Sequence, residues 1–336
     1  MLKKTLMASA VLITLSGCAT VGEVCTPDSR IEIEAADIQL PSSANMEVVV
    51  LPVDIEFKNA ASKKMQSAMR NALETQIDKT GAKLVDRKIA NKVKSEIKLA
   101  EQSGRLSTSG VPIADYAIIT EITHADLSKS FSERRTYIND DGETVVVAPK
   151  CSYDFDVEAI AKVVALPSMD VVKRINLKGD HYSSTETSNS RCPVSEVTYT
   201  SMAAKATAEA VAYSTDIKKM LAASGPVVEM RQCEVGTQVR IAMGKNQNIE
   251  PGADILFSNA VKSLEGETEI YPIGDGYVVN NEINAVTEKY SWVVIDEEVS
   301  LKVKKGTMGK VDASSIQCSI TDLECHTKNV TDSFNL

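Results

Sequence analysis

The sequence predicts an α+β protein in which a mixed sheet packed with helices is followed by a small, all-β, barrel-like region. An apolar, β-branched run over Met46–Val53 is typical of a buried strand. It is followed by apolar residues at four-residue intervals, which indicate one buried helix face: Met65, Met69, Leu73 and Ile77. From Val227 onward, short β runs alternate with glycine turns and helical periodicity is lost. With 43% hydrophobic and 25% charged residues, the composition is that of a globular protein.

The N-terminus has the pattern of an export signal. Lys3 and Lys4 precede an apolar run from Leu6 to Leu15, which is too short to span a bilayer as a helix. The run ends in Leu15-Ser16-Gly17-Cys18, which resembles the lipobox of bacterial lipoproteins. The resemblance implies a signal peptide over residues 1–17 and fatty acylation, palmitate included, at Cys18. The alternative is an ordinary secretory signal in which Cys18 is incidental.

The residues after Cys18 bear on location and domain organisation. By resemblance to enterobacterial lipoproteins, Ala19-Thr20 in place of an aspartate implies sorting to the outer membrane, with the protein facing the periplasm. Residues 18–45 are polar and contain two prolines, so they are predicted to form a lipid-anchored tether. The remaining chain divides into an α/β domain over residues 46–225 and a C-terminal β-domain over residues 226–336.

The charge balance restricts the class of partner. The formal net charge is −9, and removal of Lys3 and Lys4 with the signal makes the exported form more acidic. An acidic surface without a basic run repels phosphate backbones, which argues against nucleic-acid binding. Proteins or the cell wall are the expected partners, and the membrane is reached through the lipid.

Six cysteines remain once Cys18 is assigned to lipid, an even number that favours disulfides in an oxidising compartment. Six cysteines allow 15 connectivities. The pairings that we favour are Cys151 with Cys192 and Cys318 with Cys325. Cys25 and Cys233 stay open as further disulfide candidates.

The α/β domain is predicted to run strand, helix, strand, helix, then antiparallel strands and a last helix. Asn59 is the expected cap of the first helix, and Gly81 its stop. A hairpin is expected at Asp140-Asp141-Gly142. The predicted helices are Asn59–Lys79, Arg87–Ser103 and Ser201–Ala223, and the predicted strands are Met46–Val53, Ala82–Val85, Tyr116–Ile122, Phe131–Asn139, Thr144–Val147, Asp156–Leu166 and Val171–Leu177.

Gly225-Pro226 is expected to close the α/β domain, and turns are expected at Pro251-Gly252, Gly274-Asp275-Gly276 and Lys305-Gly306. The predicted C-terminal strands are Val239–Met243, Asp254–Asn259, Tyr277–Val279, Ser291–Ile295 and Ser300–Val303. Trp292 is expected to pack inside this β-domain.

Three segments carry a resemblance to the CsgG-like family, named for the curli secretion lipoprotein, and to related TolB-N-like periplasmic domains. They are Lys83–Arg87, Leu99–Gly104 and the strand opening Ala114–Glu121. The C-terminal residues Val239–Ile241, Gly244-Lys245 and Pro251-Gly252 resemble the β-domain of FlgT-type flagellar assembly proteins. Those relatives are usually soluble, whereas this chain carries a lipobox.

The curli channel subunit inserts two hairpins into the outer membrane, and the matching segments here are Ser128–Cys151 and His181–Thr198. Over Phe131–Asn139 neither alternating set of side chains is apolar, and the second segment is mostly Ser, Thr and Asn. A charge facing the bilayer midplane costs roughly 2–4 kcal/mol. We therefore predict periplasmic hairpins, pinned together by Cys151 and Cys192, in preference to a pore.

The sequence favours a non-enzyme without metal or cofactor. His124, His181 and His326 are far apart, and no H-E-x-x-H, G-x-S-x-G or P-loop motif occurs. The acidic clusters Asp140-Asp141 and Asp296–Glu298 are typical of solvated loops, with calcium binding or acid/base pairing as the less favoured interpretation.

Taken with the lipobox, the resemblance implies a non-catalytic outer-membrane lipoprotein that assembles into, or docks on, an envelope apparatus. Curli-type secretion and flagellar rings are the nearest examples, and self-association into a ring is expected. The alternatives are a monomeric activator of a peptidoglycan synthase, as in LpoB-like lipoproteins, and a CsgG-type secretion pore subunit. A hydrolase is the least favoured.

Overall fold

The computed structural model describes residues 22–86, 88–92, 94, 114–166, 168–281 and 283–313. The lipobox with Cys18, the pair Cys318 and Cys325, and His326 lie outside these residues. So does most of the predicted second helix, of which residues 88–92 are helical. The described chain is a mixed helix and sheet protein with more strand than helix and several sheets.

The helices whose bounds lie within the described residues are α1 (Ser62–Asp78), α2 (Glu196–Ala212), α3 (Thr215–Leu221) and α4 (Glu297–Lys302). The strands are β1 (Arg30–Ile31), β2 (Glu47–Val50), β3 (Asp54–Ile55), β4 (Lys83–Leu84), β5 (Tyr116–Ser132), β6 (Arg135–Ile138), β7 (Thr144–Val147), β8 (Lys150–Ala165), β9 (Val171–Glu186), β10 (Ser224–Cys233), β11 (Gly236–Ile241), β12 (Asp254–Lys262), β13 (Thr268–Val278), β14 (Ser291–Ile295) and β15 (Met308–Val311).

The first sheet has the order β4-β2-β5-β8-β9, with β3 also beside β5. Strands β2, β3 and β4 join in parallel, whereas β5, β8 and β9 form an antiparallel ribbon of 16- and 17-residue strands. Odd-numbered residues of β8 are buried from Cys151 to Val163 and face the core shared with the helices. The even-numbered side is largely exposed until Val164, which joins a smaller core cluster with Ala90.

Helix α2 lies unusually close to β9. A Cβ atom added at Gly179 would stand 2.1 Å from the carbonyl oxygen of Ala206 and 2.4 Å from the backbone nitrogen of Ala210. Three alanines, Ala203, Ala206 and Ala210, are fully buried on this side of the helix. Small residues on both elements therefore allow the helix backbone to approach the strand.

The second sheet has the order β1-β10-β11-β14-β13-β12-β15, and β15 also pairs with β10. Because of this extra pairing, six strands form a closed cycle of neighbours: β10, β11, β14, β13, β12 and β15. Its core is a separate cluster that includes Val239, Phe257 and Trp292.

Several predicted elements of the C-terminal part are wrong. Gly274-Asp275-Gly276, expected to be a turn, lies inside β13. Gly225-Pro226, expected to close the α/β domain, lies inside β10. The strand predicted over Ser300–Val303 falls mostly in α4, because the Asp296 carboxylate accepts a 2.7 Å hydrogen bond from the Val299 amide and caps a helix there.

The long helix predicted over Ser201–Ala223 is two helices. It begins earlier than predicted, because the Ser195 hydroxyl accepts a hydrogen bond from the Thr198 amide. It breaks after Ala212, where Ser214 caps α3 through the Ile217 amide. The first helix begins at Ser62, and its N-cap is Ala61 rather than the predicted Asn59. The Asn59 side chain instead accepts a hydrogen bond from the Ala61 amide just before the helix.

Candidate functional surfaces

The projecting hairpin, residues 133–149, extends from the far ends of β5 and β8. Its strands β6 and β7 pair with each other in a two-stranded sheet. The turn is closed by Asn139, whose side-chain oxygen accepts a 2.8 Å hydrogen bond from the Glu143 amide. Ile138 is 72% exposed, and Tyr137 and Val146 are each about half exposed. Because Thr136 pairs with Val146 and Tyr137 with Val145, Ile138 and Val146 lie on one face of the hairpin and Tyr137 lies on the other. Both faces therefore expose apolar surface that a partner could cover.

A disulfide fixes the base of this hairpin. The structure joins Cys151, in the second residue of β8, to Cys192 in the loop between β9 and α2, with 5.5 Å between their Cα atoms. Both cysteines are buried, and Tyr153 donates a hydrogen bond to the Pro193 carbonyl of the same loop. The base of the projecting hairpin is therefore covalently tied to the helical layer.

The second predicted hairpin is not formed. His181–Glu186 completes β9, and the chain enters α2 at Glu196, so the segment His181–Thr198 is strand, loop and helix start. The cause is the Ser195 cap with Glu196 in the first turn, which favours a helix over a returning strand.

An acidic row crosses the open face of the first sheet. Asp156 on β8 lies opposite Asp126 on β5 and opposite Asp180 on β9, so three carboxylates share one row. Partial burial raises the pKa of Asp156, and the charges of Asp154, Asp180 and Asp126 raise it further. Like charges on directly opposed strand residues are destabilising.

In the neighbouring row, the negative charge of Glu158 is compensated by Lys178. The Lys178 ammonium lies 3.0 Å from the Glu158 carboxylate, and this hydrogen bond and charge lower the pKa of Glu158. The open face thus combines one repulsive row with one ion-paired row.

The predicted chemical groups are not brought together. His124 lies opposite Glu158 on the open face, whereas His181 lies 3.1 Å from Glu209 of α2. Asp140 and Asp141 occupy the exposed turn of the projecting hairpin. Across residues 22–313, apart from the undescribed positions, no group of three or more His, Cys, Asp or Glu side chains is placed to hold a metal ion.

The residues predicted to be a tether pack on the second sheet. The N-terminal strap, residues 22–38, crosses the sheet near β10 and β11 and returns as β1 beside β10. A disulfide between Cys25 and Cys233 fastens it. The Gln238 side chain accepts from the Cys25 amide and donates to the Glu23 carbonyl, at 3.0 and 2.6 Å. Gln238 is 1% exposed, so both bonds are shielded from water.

Charged residues on the second sheet also bind the strap. Arg231 donates to the Cys25 carbonyl at 2.8 Å and stacks 4.1 Å from the ring centroid of Trp292. Burial alone would raise the pKa of Glu229, but Arg231, Arg240 and Arg30 together hold the pKa below its usual value. Trp292 therefore packs in the core, as predicted, and also supports Arg231. The roles of Arg231 and Gln238 were not predicted, because their partners Cys25 and Glu23 lie more than 200 residues away in the sequence.

None of the helices in the described part of the chain is long and apolar enough to cross a bilayer.

Comparisons with known proteins give weak matches. No protein-family model matches the chain, and no curated protein matches it. A Helicobacter pylori homolog of a neuraminyllactose-binding hemagglutinin is 10% identical, with 56% of this chain and 91% of that chain covered and a TM-score of 0.32. The PelC dodecamer from Paraburkholderia phytofirmans is 14% identical, covering 53% and 94%, with a TM-score of 0.24. The lipoprotein GNA1162 from Neisseria meningitidis is 10% identical, covering 41% and 84%, with a TM-score of 0.25. Similarity at this level supports no conclusion about function.

Proposed function

We propose that this chain is a non-catalytic outer-membrane lipoprotein, acylated at Cys18 and facing the periplasm, that docks on or assembles into an envelope apparatus of the secretion or flagellar ring type. The proposal includes the CsgG-like or TolB-N-like assignment of residues 46–225 and a FlgT-like, barrel-like assignment of residues 226–336. The observation that carries it is the projecting hairpin, with apolar side chains exposed on an element whose base is held by a disulfide.

The hairpin suits docking for energetic reasons. Ile138, Tyr137 and Val146 have their apolar surface in water, and covering such surface contributes about 25 cal/mol per Å². The Cys151–Cys192 bridge limits motion at the base, which lowers the conformational entropy lost when a partner binds. A partner that presents an apolar groove therefore fits this element.

A second feature favours contact between copies of the chain. Strand β9 ends the order of the first sheet, and among the described residues no strand pairs with its outer side. A 16-residue edge is long enough to template another strand. Lysines on an edge strand discourage such pairing, but Lys173 and Lys178 are ion-paired with Asp216 and Glu158 of the same chain, which reduces the net charge of this edge. Neighbouring copies would then meet through the α/β part.

The test is the native mass of the lipidated protein in mild detergent, measured by light scattering and particle imaging. A uniform assembly is expected for the unsubstituted chain. Ile138→Asp should weaken the assembly or its partner contact without unfolding the protein, because the side chain is exposed. Leu264→Asp is the matched control, since Leu264 is an exposed leucine in the β12–β13 turn. A protein that stays monomeric at high concentration and in envelope extracts would contradict self-assembly.

Lipid attachment is tested separately. Labelled palmitate should enter the protein and be lost in Cys18→Ala. Retention of label in that variant, or its absence from the unsubstituted protein, would contradict the lipoprotein assignment.

A further inference from the structure

The N-terminal strap is fixed to the second sheet from its first described residue. The Gly22 amide donates to the Asn280 carbonyl, and the Asn281 side chain donates to the Gly22 carbonyl, each at 3.2 Å. Three residues later the Cys25–Cys233 disulfide makes the attachment covalent. The chain that leads back toward Cys18 therefore departs from a defined point on the surface.

Covalent geometry limits how far the lipid can lie from that point. Three residues separate Cys18 from Gly22, which gives four Cα to Cα steps of about 3.8 Å and a span of at most about 15 Å. The 28 residues between positions 18 and 45, if free, would have allowed the body to stand well away from the bilayer. Docking of the strap removes nearly all of that length.

The surface at the departure point is the β13–β14 loop, described at residues 279–281 and 283–290. Ile283 in this loop is 92% exposed, and its amide donates to the Asn281 side chain at 2.9 Å. The loop is tied to the sheet, because the Val279 amide donates to the Trp292 carbonyl at 2.8 Å and the Lys245 amide donates to the Thr287 carbonyl at 2.9 Å. The exposed Ile283 therefore lies on a hydrogen-bonded loop close to Gly22, the residue from which the chain leads back toward Cys18.

We propose that the β13–β14 loop rests on the phospholipid surface, with Ile283 at the interface, so that the protein is held against the membrane through its second sheet. The inference depends on the proposed lipid attachment at Cys18. The occupant of this surface is the bilayer, because the lipid and Gly22 cannot be more than about 15 Å apart. An apolar side chain at the headgroup level adds buried area to the anchor.

The experiment uses full-length lipidated protein in vesicles of phosphatidylethanolamine and phosphatidylglycerol that contain a headgroup nitroxide lipid, a short-range fluorescence quencher. The chain has one tryptophan, Trp292, which is replaced in the Trp292→Phe background. One reporter is Ile283→Trp. The matched control is Leu264→Trp, an exposed leucine in the turn that precedes β13. From Thr268 to Val278 that strand spans ten steps, or about 33 Å.

The expected result is quenching of Ile283→Trp several-fold above that of Leu264→Trp. Ile283→Trp and Leu264→Trp in the chain that keeps Trp292 provide a second comparison, which keeps the test valid should the doubly substituted chain fail to fold. Trp292 is 4% exposed, so it contributes the same shielded background to both variants.

Two failures are distinguishable. Protein that floats with the vesicles but shows equal quenching at Ile283→Trp and Leu264→Trp, or none at Ile283→Trp in either background, would overturn the placement of the loop and leave the lipid anchor standing. Protein that takes up no palmitate and does not float would overturn the proposed lipoprotein itself.

Discussion

The approach of α2 to β9 gives a sharp prediction about Gly179→Ala. The added methyl would lie 2.1 Å from the Ala206 carbonyl oxygen, whereas ordinary contacts begin at 3.4 Å. The atoms met are helix backbone, which cannot rotate away as a side chain would. The helix must therefore retreat by more than 1 Å, and the fully buried Ala203, Ala206 and Ala210 lose contact with the sheet.

The expected cost is the upper part of the range for overpacked cores. Extra methyl groups in a filled core destabilise by typically 1–3 kcal/mol, so we expect Gly179→Ala to lower the free energy of unfolding by about 3 kcal/mol. The assay is urea denaturation followed by far-ultraviolet circular dichroism, with the disulfides intact.

Gly142→Ala is the control for this prediction. Gly142 is in the exposed turn of the projecting hairpin with φ of +79°, and a Cβ there meets no atom within 4 Å. Its cost is the backbone strain alone, about 1–2 kcal/mol. If Gly179→Ala costs no more than Gly142→Ala, the close packing of α2 on β9 is not a determinant of stability and the reasoning fails.

Two further predictions concern the disulfide at the hairpin base and the open face. Removing the bridge in Cys151→Ala/Cys192→Ala opens a loop of 41 residues and should lower the free energy of unfolding by about 4 kcal/mol in urea denaturation, from the loss of chain constraint. A loss below about 1 kcal/mol would contradict this. The raised pKa of Asp156 means that the folded state holds this proton more tightly than the unfolded state, so its contribution to stability falls as the pH rises above about 3.8. Asp156→Asn should therefore raise the melting temperature at pH 7 more than at pH 4. Glu158→Gln should do the reverse, because the pKa of Glu158 is lowered by Lys178 and its stabilisation is lost as the pH falls. Equal responses of the two variants would refute the assignment.

Several predicted strands are shorter than the observed ones: β5, β9 and β12 begin where predicted but extend further, whereas β8 and β13 begin earlier than predicted. Strand β5 was expected over Tyr116–Ile122 but continues to Ser132. A register shift between Ile122 and His124 reverses the inward and outward alternation, so the second half of the strand lacks a continuous pattern in the sequence. The long ribbon could not be read from periodicity for this reason.

Glycine was ambiguous for a different reason. Gly274 was expected in a turn, yet it lies in β13 opposite Phe257. A Cβ there would stand 2.2 Å from a Val299 methyl of α4, so the close packing of this helix requires a glycine at that position. The same helix was predicted as a strand, although Asp296 followed by Glu297 and Glu298 is a recognisable helix start. The helix start of α4 could be recognised from adjacent residues, whereas the need for glycine at position 274 depends on a contact with α4 that the local sequence does not show.

The pairing of Cys151 with Cys192 was among the favoured predictions, whereas the residues that bind the strap were not predicted. Gln238 and Arg231 donate hydrogen bonds to the carbonyl groups of Glu23 and Cys25, which lie more than 200 residues away in the sequence. No local sequence pattern predicts these contacts. A polar N-terminal segment with two prolines is typical of a free linker, and its docking depends on partners supplied by tertiary structure alone.

The two sheets differ in how the chain builds them. The Ser43 hydroxyl accepts a 2.9 Å hydrogen bond from the Ser224 amide, so the chain leaves the second sheet and returns to it at one place. The second sheet and its strap are thus assembled from both sides of the sequence, and the α/β part is topologically an insertion between them. When the chain emerges with its N-terminus first, the strap has nothing to pair with until β10 follows nearly 200 residues later. The inserted part can fold in that interval, and the second sheet is completed last.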